Sequence, residues 1–438
     1  MKNKSFYIET YGCASNKADS YLMSTILKKN GYEEVDSEEA RFLIINTCAV
    51  KQQTENKIRQ RLKQLNVVTQ RNSDRLVIIT GCLPLVGKNY INLIKKIIPN
   101  YAAIIDLKSI IRIPEIFKEL EDGKKNLVIK SNDPIDKAKI SIDYYKGKIT
   151  GILPISEGCL GNCTYCCVRN ARGKLICFDH SKIIENARYQ LEQGIKQLYL
   201  TSQDCSTYEH DGFQLADLIQ EINGLRYDFF LRLGMINPRF LIDNIEQLIK
   251  IYKMEKTYLF LHVPVQSGSN RILKRMNRQY RIEDLIPKFK ILRKTFPSLT
   301  ISTDIICGFP GETDDDFKKT VDFIKWLKPE ILNISKFTPR PDTPASKMKQ
   351  LDSRIIKERS IYLSQIFRNM IKDSNEKWLN WEGKVLILHE ENEKDVYFGR
   401  NRAYKNVHVK SSEVKKGQFV KVKIYEVDGF NLIGKVIQ

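Results

Sequence analysis

The sequence lacks any apolar run long enough to cross a membrane. A bilayer span needs about 18–20 consecutive apolar residues, and no stretch of the 438 residues approaches that length. The first residues, Met1–Phe6, carry two lysines and no apolar signal core behind them. We therefore expect a cytoplasmic protein with no membrane contact.

Acidic residues are few relative to basic ones. The chain has 52 Asp and Glu against 72 Lys and Arg, which leaves a formal charge of +20. Such an excess favours a polyanionic partner, with nucleic acid as the first candidate. Lysines scattered over solvated helix faces in a chain of biased composition would give the same total, so charge alone leaves the partner open.

Disulfides are not expected either, because the cytoplasm keeps thiols reduced. The chain nevertheless has ten cysteines, and clustered cysteines in a reducing compartment indicate metal or redox chemistry. A chain of this length exceeds one ordinary core, so we expect two or three domains. The positions of the cysteines within those domains are therefore informative.

Two α/β domains are predicted. Residues 1–125 alternate apolar strands and helices, which favours a Rossmann-like α/β domain with a parallel sheet; a charged connector follows over 118–148. Residues 145–372 contain six strands separated by helical periodicity, which favours a partial (β/α)6 barrel with functional groups at the carboxyl strand ends. The predicted strands are Ser5–Tyr11, Arg41–Asn46, Arg75–Thr80 and Tyr101–Asp106, then Ile149–Ser156, Gln197–Ser202, Phe229–Met235, Thr257–Val263, Thr300–Ile306 and Ile331–Phe337.

The last segment, residues 376–438, changes to strands of near-alternating character. Five short strands of this kind predict a small closed β-barrel. From Lys377 onward it holds 12 basic and eight acidic residues, a modest positive excess. Within it Arg400, Arg402, Tyr404 and Lys405 form a basic-aromatic cluster suited to contacts with RNA phosphates and bases. A solvated hairpin is the alternative.

Three cysteines lie on one loop directly after the first predicted barrel strand. Cys159, Cys163 and Cys166 follow a C-x3-C-x2-C pattern. Three thiolates suit three irons of a [4Fe–4S] cluster and leave the fourth iron open to a substrate or cofactor. Zinc is the alternative, but it normally takes four ligands and often pairs C-x2-C with a distant second pair.

Three further cysteines, Cys13, Cys48 and Cys82, each follow the carboxyl end of a predicted parallel strand. Those ends share one edge of the sheet, so residues far apart in sequence converge there. This arrangement predicts a second cluster. Three buried structural cysteines are the alternative, whereas Cys167, Cys177, Cys205 and Cys307 follow no ligand spacing.

The loop spacing, the aromatic Tyr165 before the last cysteine and the βα repeats resemble the radical S-adenosylmethionine (SAM) enzymes. The resemblance implies that SAM chelates the open iron and that electron transfer yields a 5′-deoxyadenosyl radical. The candidate cofactor-binding residues are Tyr165, Gln203, Asp204, Arg232, Gln266, Asp304, Gly308 and Gly311. Hydrogen-bonded rim residues and a plain strand-to-helix turn capped by Thr313 are the alternatives. His262 is expected to be a satisfied core residue.

The whole chain also resembles the methylthiotransferases. The matching segments include Tyr11–Asn16, Ile45–Val50, Thr80–Cys82, Leu200–Asp204, Arg232–Gly234, His262–Ser269, Met276–Arg278, Gly308–Thr313 and Pro341–Pro344. The resemblance implies two [4Fe–4S] clusters, with the auxiliary one on Cys13, Cys48 and Cys82 supplying or carrying sulfur. One SAM would donate a methyl group, and another would generate the radical. The terminal segment resembles the RNA-binding TRAM domain.

The loop Gly158–Cys166, here called the radical loop, and the following Asn170–Leu175 are similar to the archaeal and eukaryotic branch of that family. This branch implies methylthiolation of N6-threonylcarbamoyladenosine (t6A) at tRNA position 37, in the anticodon loop. Isopentenyladenosine-37, a ribosomal-protein aspartate and a non-catalytic iron–sulfur RNA-binding protein are the alternatives. Cys177-Phe178 departs from the serine expected after Lys174-Leu175. We further expect a monomer, a flavodoxin or ferredoxin as electron donor, and a sulfur donor.

Overall fold

The computed structural model describes residues 4–131, 133, 135–143, 147–393 and 395–437. The first domain contains strands β1 (Ser5–Thr10), β2 (Glu33–Glu34), β3 (Phe42–Thr47), β4 (Leu76–Gly81), β5 (Ala103–Ile105) and β6 (Leu127–Ile129). They form one parallel sheet in the order β2-β1-β3-β4-β5-β6. Helices α1 (Ala14–Lys29), α2 (Gln52–Arg71), α3 (Tyr90–Ile97) and α4 (Ile113–Glu121) cover it.

Strands β3 and β4 are buried along their whole length. Such strands are apolar on both sides because helices cover both faces of a parallel sheet. On one face of the sheet Phe42 stacks on Phe117 of α4, with 3.9 Å between the ring centroids. On the other face Val77 packs into the apolar cluster around α2 and α3. The four predicted strands are confirmed. The connector prediction over 118–148 is wrong in part, because it contains the end of α4 and β6.

The second domain is a partial barrel of β7 (Thr150–Pro154), β8 (Gln197–Thr201), β9 (Phe230–Arg232), β10 (Phe260–His262), β11 (Thr300–Cys307) and β12 (Ile331–Lys336). Two parallel three-stranded groups meet at a bridge between Leu231 and Thr257. Within the described chain β7 and β12 do not pair. The helices are α5 (Val168–Arg172), α6 (His180–Glu192), α7 (Leu215–Gly224), α8 (Pro238–Asp243), α9 (Ile245–Lys253), α10 (Asn270–Arg275), α11 (Ile282–Thr295) and α12 (Asp314–Leu327).

Helix α13 (Ser353–Glu376) leads to a closed five-stranded barrel. Its strands are β13 (Glu382–Glu390), β14 (Val396–Asn401), β15 (Asn406–Lys410), β16 (Phe419–Asp428) and β17 (Asn431–Val436). Leu386 and Tyr404 of this barrel pack on Phe230, Tyr258 and Phe260 at the amino-terminal strand ends of the partial barrel. The predicted fold class is confirmed. No helix of the described chain has the length and apolar character needed to span a membrane.

Candidate active site

Cys13, Cys48 and Cys82 follow β1, β3 and β4, which are neighbours in the sheet. The amide of Cys82 donates to the carbonyl oxygen of Thr47 at 2.8 Å, which places Cys82 beside Cys48. A Cβ built on Gly12 would lie 3.0 Å from the Cys48 Sγ, so the turn that carries Cys13 touches Cys48. The structure therefore brings the three cysteines together, as the sequence predicts.

Asn16 and Arg172 surround these thiols. The Asn16 Oδ1 lies 3.4 Å from the Cys13 Sγ and 4.0 Å from the Cys82 Sγ. The same oxygen accepts a hydrogen bond from Arg172 Nη2 at 3.2 Å. Burial raises the pKa of Cys82 to about 12, so a metal must displace its proton. Converging thiols beside a buried cation fit a cluster.

We expect Gly12→Ala to prevent binding of the predicted auxiliary cluster. Gly12 has φ +119, and the new methyl group would lie 2.7 Å from the Cys48 Cβ. Iron should fall from about eight to about four per chain, while SAM cleavage persists. Gly31→Ala is the matched control, since its φ is +79 and nothing lies within 4 Å of the added carbon. Unchanged iron in Gly12→Ala would contradict the assignment.

Cys159, Cys163 and Cys166 also lie together, on the loop after β7. A Cβ on Gly161 would be 3.3 Å from the Cys159 Sγ and 3.9 Å from the Cys163 Sγ. The Gly161 amide donates to the Cys159 Sγ at 3.2 Å. Burial raises the pKa of Cys166 to about 12. The loop thus presents three thiols within residues 159–166, which fits a three-thiolate cluster.

A buried charge network joins the two cysteine sets. Arg172 Nη2 contacts Asp19 at 2.7 Å, and its Nη1 contacts Glu157 at 2.6 Å. Lys137 Nζ contacts the same two carboxylates at 2.7 and 3.0 Å. All four side chains are at most 10% exposed. Asp19 lies on α1 behind Cys13, and Glu157 is two residues before Cys159, so the network fixes one cysteine set relative to the other.

Gln203 and Asp204 lie at the end of β8. Gln203 Oε1 accepts a hydrogen bond from the amide of Gly158, at 2.6 Å, and its Nε2 donates to Ser15 Oγ at 3.4 Å. Gln203 therefore ties the radical loop to α1. Asp204 accepts from the amides of Ser206 and Asn237 at 3.1 and 3.2 Å, and burial raises the pKa of its carboxyl. These contacts hold the Asp204 carboxylate in place, and cofactor contact by Asp204 stays a prediction.

Arg232 lies inside the partial barrel, in an aromatic cage. Its guanidinium carbon is 4.6–5.2 Å from the ring centroids of Tyr199, Phe260 and Tyr404. Its Nε is buried and lacks a hydrogen-bond partner within the described chain. Because an unpaired buried donor is costly, this atom fits an acceptor that a bound cofactor or substrate brings.

Asp304 and Gln266 lie side by side on the barrel mouth. The Gln266 amide donates to the Asp304 carbonyl oxygen at 2.7 Å. Burial would raise the pKa of the Asp304 carboxyl, but hydrogen bonds from His262 and Asn333, at 3.1 and 2.7 Å, lower it overall. The charge of Lys51 acts in the same direction. Lys51 follows Cys48 closely, so the segment after Cys48 lies near this mouth.

Tyr165, Gly308 and Gly311 contact protein groups. Tyr165 packs edge-on against Phe309, with 6.5 Å between centroids. Gly308 and Gly311 have φ of +76 and +83, which a glycine adopts readily. A Cβ on Gly308 would be 2.4 Å from Ile356, and one on Gly311 would be 2.9 Å from the Arg275 guanidinium. Close packing thus explains both glycines, and cofactor contact by these three residues stays a prediction.

The structure places the four predicted RNA-binding residues against the partial barrel. Arg402 donates to the carbonyl oxygens of Tyr252, Met254 and Thr257 at 3.0–3.2 Å. Lys405 is buried, with its Nζ 2.8 Å from the Asn375 Oδ1. The Tyr404 hydroxyl and Arg400 Nη1 both contact the Tyr199 hydroxyl, at 2.8 and 2.7 Å. RNA contact by Arg402, Tyr404 and Lys405 would therefore require the terminal barrel to leave this position.

Arg400 additionally lines an open cleft of about 380 Å³ between the three domains. Lys148, Lys416, His389 and Phe398 line it too, and the His389 ring stacks on Phe398 at 4.9 Å. Basic and aromatic side chains in one groove are typical of contacts with single-stranded nucleic acid. RNA contact by Arg400 stays a prediction, and Arg400 is the predicted residue that faces this cleft.

Lys405 should make stability depend on pH. Burial lowers the pKa of Lys405 to about 8, whereas an unfolded lysine titrates near 10.4. Between these values the unfolded chain binds more protons, so the free energy of unfolding rises with pH, by up to about 3 kcal/mol. Lys405→Met should remove this rise in urea denaturation curves. Lys421→Met, exposed on the same barrel, should retain it; a rise that survives Lys405→Met would contradict the assignment.

Sequence reasoning missed Asn16, Arg172 and Lys137 as site residues. Asn16 and Arg172 lie in segments that resemble the methylthiotransferases, at Tyr11–Asn16 and Asn170–Leu175. That resemblance was the feature of the sequence from which their role at the site could have been predicted. Lys137 has none, because its partners Asp19 and Glu157 are 118 and 20 residues away.

Comparison with known proteins agrees with this geometry. Residues 153–324 match the radical SAM superfamily, and residues 5–105 match the Uncharacterized protein family UPF0004. A probable threonylcarbamoyladenosine tRNA methylthiotransferase of Pyrococcus horikoshii is 38% identical over 98% of this chain and 99% of its own length. Threonylcarbamoyladenosine tRNA methylthiotransferases of Xenopus laevis and Homo sapiens are 32% and 31% identical over 99% and 96% of this chain, and 77% and 72% of theirs.

Solved structures share the fold at low sequence identity. The radical SAM methyltransferase TsrM of Kitasatospora setae has a TM-score of 0.57 and 14% identity, with 78% of this chain and 74% of that chain covered. The cobalamin-dependent radical SAM enzyme OxsB has a TM-score of 0.55 and 12% identity, with 84% and 56% covered. These similarities support the radical SAM architecture alone.

Proposed function

This chain belongs to the threonylcarbamoyladenosine tRNA methylthiotransferase family, and we propose that it methylthiolates C2 of t6A at position 37 of tRNA. It is a radical SAM transferase, and its radical SAM domain implies SAM and a [4Fe–4S] cluster as cofactors. Two clusters, one on each cysteine set, are part of the proposal. They account for six of the ten cysteines.

One observation carries the proposal: two three-cysteine sets on different domains are tied together by direct contacts. Arg172 reaches Asn16 beside the auxiliary thiols and Glu157 beside the radical loop. Ser15 and Gln203 form a second link, since Gln203 contacts both Ser15 and Gly158. Sulfur insertion at an unactivated C–H bond needs a radical source and a sulfur source on one substrate atom. A fixed relation between the two sets meets that need.

When bound, the two clusters and SAM would supply the radical, the sulfur and the methyl group. The protein's own part is to bind, orient and exclude water. The terminal barrel closes the amino-terminal end of the partial barrel with Leu386 and Tyr404, which keeps solvent from that side. Arg232 offers an unpaired Nε inside the barrel, suited to a carboxylate of SAM or of the threonyl group.

The substrate belongs to the proposal on two grounds. The formal charge of +20 favours a polyanion, and the cleft lined by Arg400, Lys148 and Lys416 offers basic groups for an anticodon stem-loop. Turnover also needs an electron donor, such as a flavodoxin or ferredoxin, and a sulfur donor. Isopentenyladenosine-37 and a ribosomal-protein aspartate are the competing substrates.

The test is in vitro methylthiolation by anaerobically reconstituted protein with SAM and a chemical reductant. Three substrates are compared: tRNA that carries t6A, tRNA that carries isopentenyladenosine, and the same tRNA without either modification. Mass spectrometry of the nucleosides should find a methylthio group on t6A alone. A methylthio group on isopentenyladenosine instead would make that nucleoside the substrate. SAM cleavage without any tRNA product would direct the search to protein substrates, and no cleavage would overturn the enzyme assignment.

A further inference from the structure

Two of the five histidines of the chain turn toward each other on the outside of the partial barrel. The Nδ1 atoms of His180 and His210 are 3.4 Å apart. Asp179 lies beside them, and one ligand atom from each of the three residues lies within 4.8 Å of the others. Two imidazole nitrogens on one tetrahedral zinc ion, at Zn–N of about 2.0–2.1 Å, are about 3.3 Å apart. The observed spacing matches that value.

His180 and Asp179 are held at the start of α6. Asp179 caps the helix, with its Oδ1 accepting from the Ser181 amide at 2.8 Å. The His180 ring stacks on Phe213, at 4.3 Å between centroids and 13° between planes. The capping hydrogen bond fixes the backbone of Asp179 and His180, and the stack on Phe213 fixes the plane of the His180 ring. The His180 Nδ1 therefore faces His210 without any ligand present.

His210 is held by a tight hairpin. The strands Glu209–His210 and Phe213–Gln214 pair through a two-residue turn, Asp211-Gly212, with φ of 50° and 81°. Both φ values are positive, as a type I′ turn requires, so the hairpin is short and stiff. The Tyr208 hydroxyl donates to the carbonyl oxygen of Phe178 at 2.9 Å, which ties the hairpin to the residue before Asp179.

The charge around the two histidines favours a cation. The carboxylate of Asp211 comes within 3.7 Å of the His210 Nδ1 and is 83% exposed, so a second negative charge lies beside the pair. Without an ion, the two Nδ1 atoms can share only one proton in a hydrogen bond, and Asp179 serves only as the cap of α6. An ion uses all three groups at once.

We propose that Asp179, His180 and His210 bind a divalent late transition metal, with zinc as the class representative. Imidazole nitrogen and carboxylate oxygen are normal zinc ligands. The six cysteines of the two clusters play no part, so this site is independent of the proposed function. Its role is structural: the ion cross-links the start of α6 to the hairpin after β8.

That hairpin continues the segment that contains Asp204, Ser206 and Thr207. The same segment lines a cavity of about 340 Å³ together with Cys163 of the radical loop. Fixing the hairpin therefore fixes one wall of a cavity next to the predicted radical cluster. The metal would tune the rigidity of that wall without contact with the reacting atoms.

The experiment titrates Zn²⁺ alone into full-length protein with both clusters reconstituted and loosely bound metal removed by a chelator. Calorimetry should give one site per chain, and the melting temperature should rise by a few degrees on binding. His180→Gln and His210→Gln should each abolish this site. His389→Gln is the matched control, since His389 stacks on Phe398 in the terminal barrel, away from this site.

X-ray absorption at the zinc edge identifies the ligands. Nitrogen and oxygen neighbours near 2.0 Å, with an imidazole pattern and no sulfur near 2.3 Å, would support the site. A sulfur shell would show zinc bound to cysteines instead. That result, an absence of binding, or binding unchanged in both histidine variants would each overturn the proposal. Equal melting temperatures of wild type and variants in chelator would show that the variants fold.

Discussion

Replacing Cys159, Cys163 and Cys166 together by alanine is expected to reduce 5′-deoxyadenosine formation to background. These are the three thiols of the radical loop that have the ligand spacing, and without them no open iron remains for SAM. The auxiliary triple variant of Cys13, Cys48 and Cys82 should behave in the opposite way. It should still cleave SAM but form no methylthio nucleoside.

Both triple variants should lose iron equally, from about eight to about four per chain, so iron content and activity together separate the two sets. The measurements are iron analysis, chromatography of 5′-deoxyadenosine and mass spectrometry of tRNA nucleosides. Cys177→Ala is the control, since Cys177 belongs to neither set and should change none of the three. If SAM cleavage persists in the radical-loop variant, these three cysteines do not hold the cluster that cleaves SAM.

Arg172→Met is expected to destabilise the chain by about 3–5 kcal/mol. Removal of Arg172 leaves Asp19 and Glu157 with Lys137 as their shared cation, in a region where every partner is at most 10% exposed. Breaking a buried ion pair from one side leaves an uncompensated charge, which costs far more than loss of a surface pair. Urea denaturation of both proteins, in the same state of cluster loading, gives the difference.

Arg112→Met is the matched control for this network. Arg112 pairs with Glu115 at 2.9 Å, but both side chains are more than half exposed, so the free energy of unfolding should hardly change. A loss below about 1 kcal/mol for Arg172→Met would show that the network contributes little. Loss of auxiliary iron in Arg172→Met at retained stability would instead assign Arg172 to the cluster environment alone.

The meeting of Cys13, Cys48 and Cys82 could be predicted because it depends only on the parallel direction of the strands that they follow. Cys13, Cys48 and Cys82 follow strands that the apolar pattern identifies, and parallel strands deliver their carboxyl ends to one edge. Likewise the radical loop is local, and its spacing is readable directly. Neither prediction required knowledge of how the domains meet.

The contacts between domains could not be predicted in the same way. Arg402 and Lys405 were predicted to form a basic surface, because the sequence does not reveal which face of the small barrel is covered by another domain. Lys137 read as part of a solvated connector, since its two carboxylate partners come from other segments. For Gly308 the positive φ was foreseeable, but its neighbour Ile356 on α13 was not. In each case the deciding partner is distant in sequence.

The terminal barrel seals the amino-terminal end of the radical barrel, and this has a practical consequence for dissecting the protein. Truncation near residue 376 is the obvious way to separate RNA affinity from catalysis. Such a cut would uncover Phe230, Tyr258 and Phe260 and remove Tyr404 from beside Arg232. Water would then reach Arg232 from the amino-terminal end of the partial barrel. Loss of activity on truncation would therefore follow from solvent entry into the partial barrel, whether or not tRNA binding is also lost.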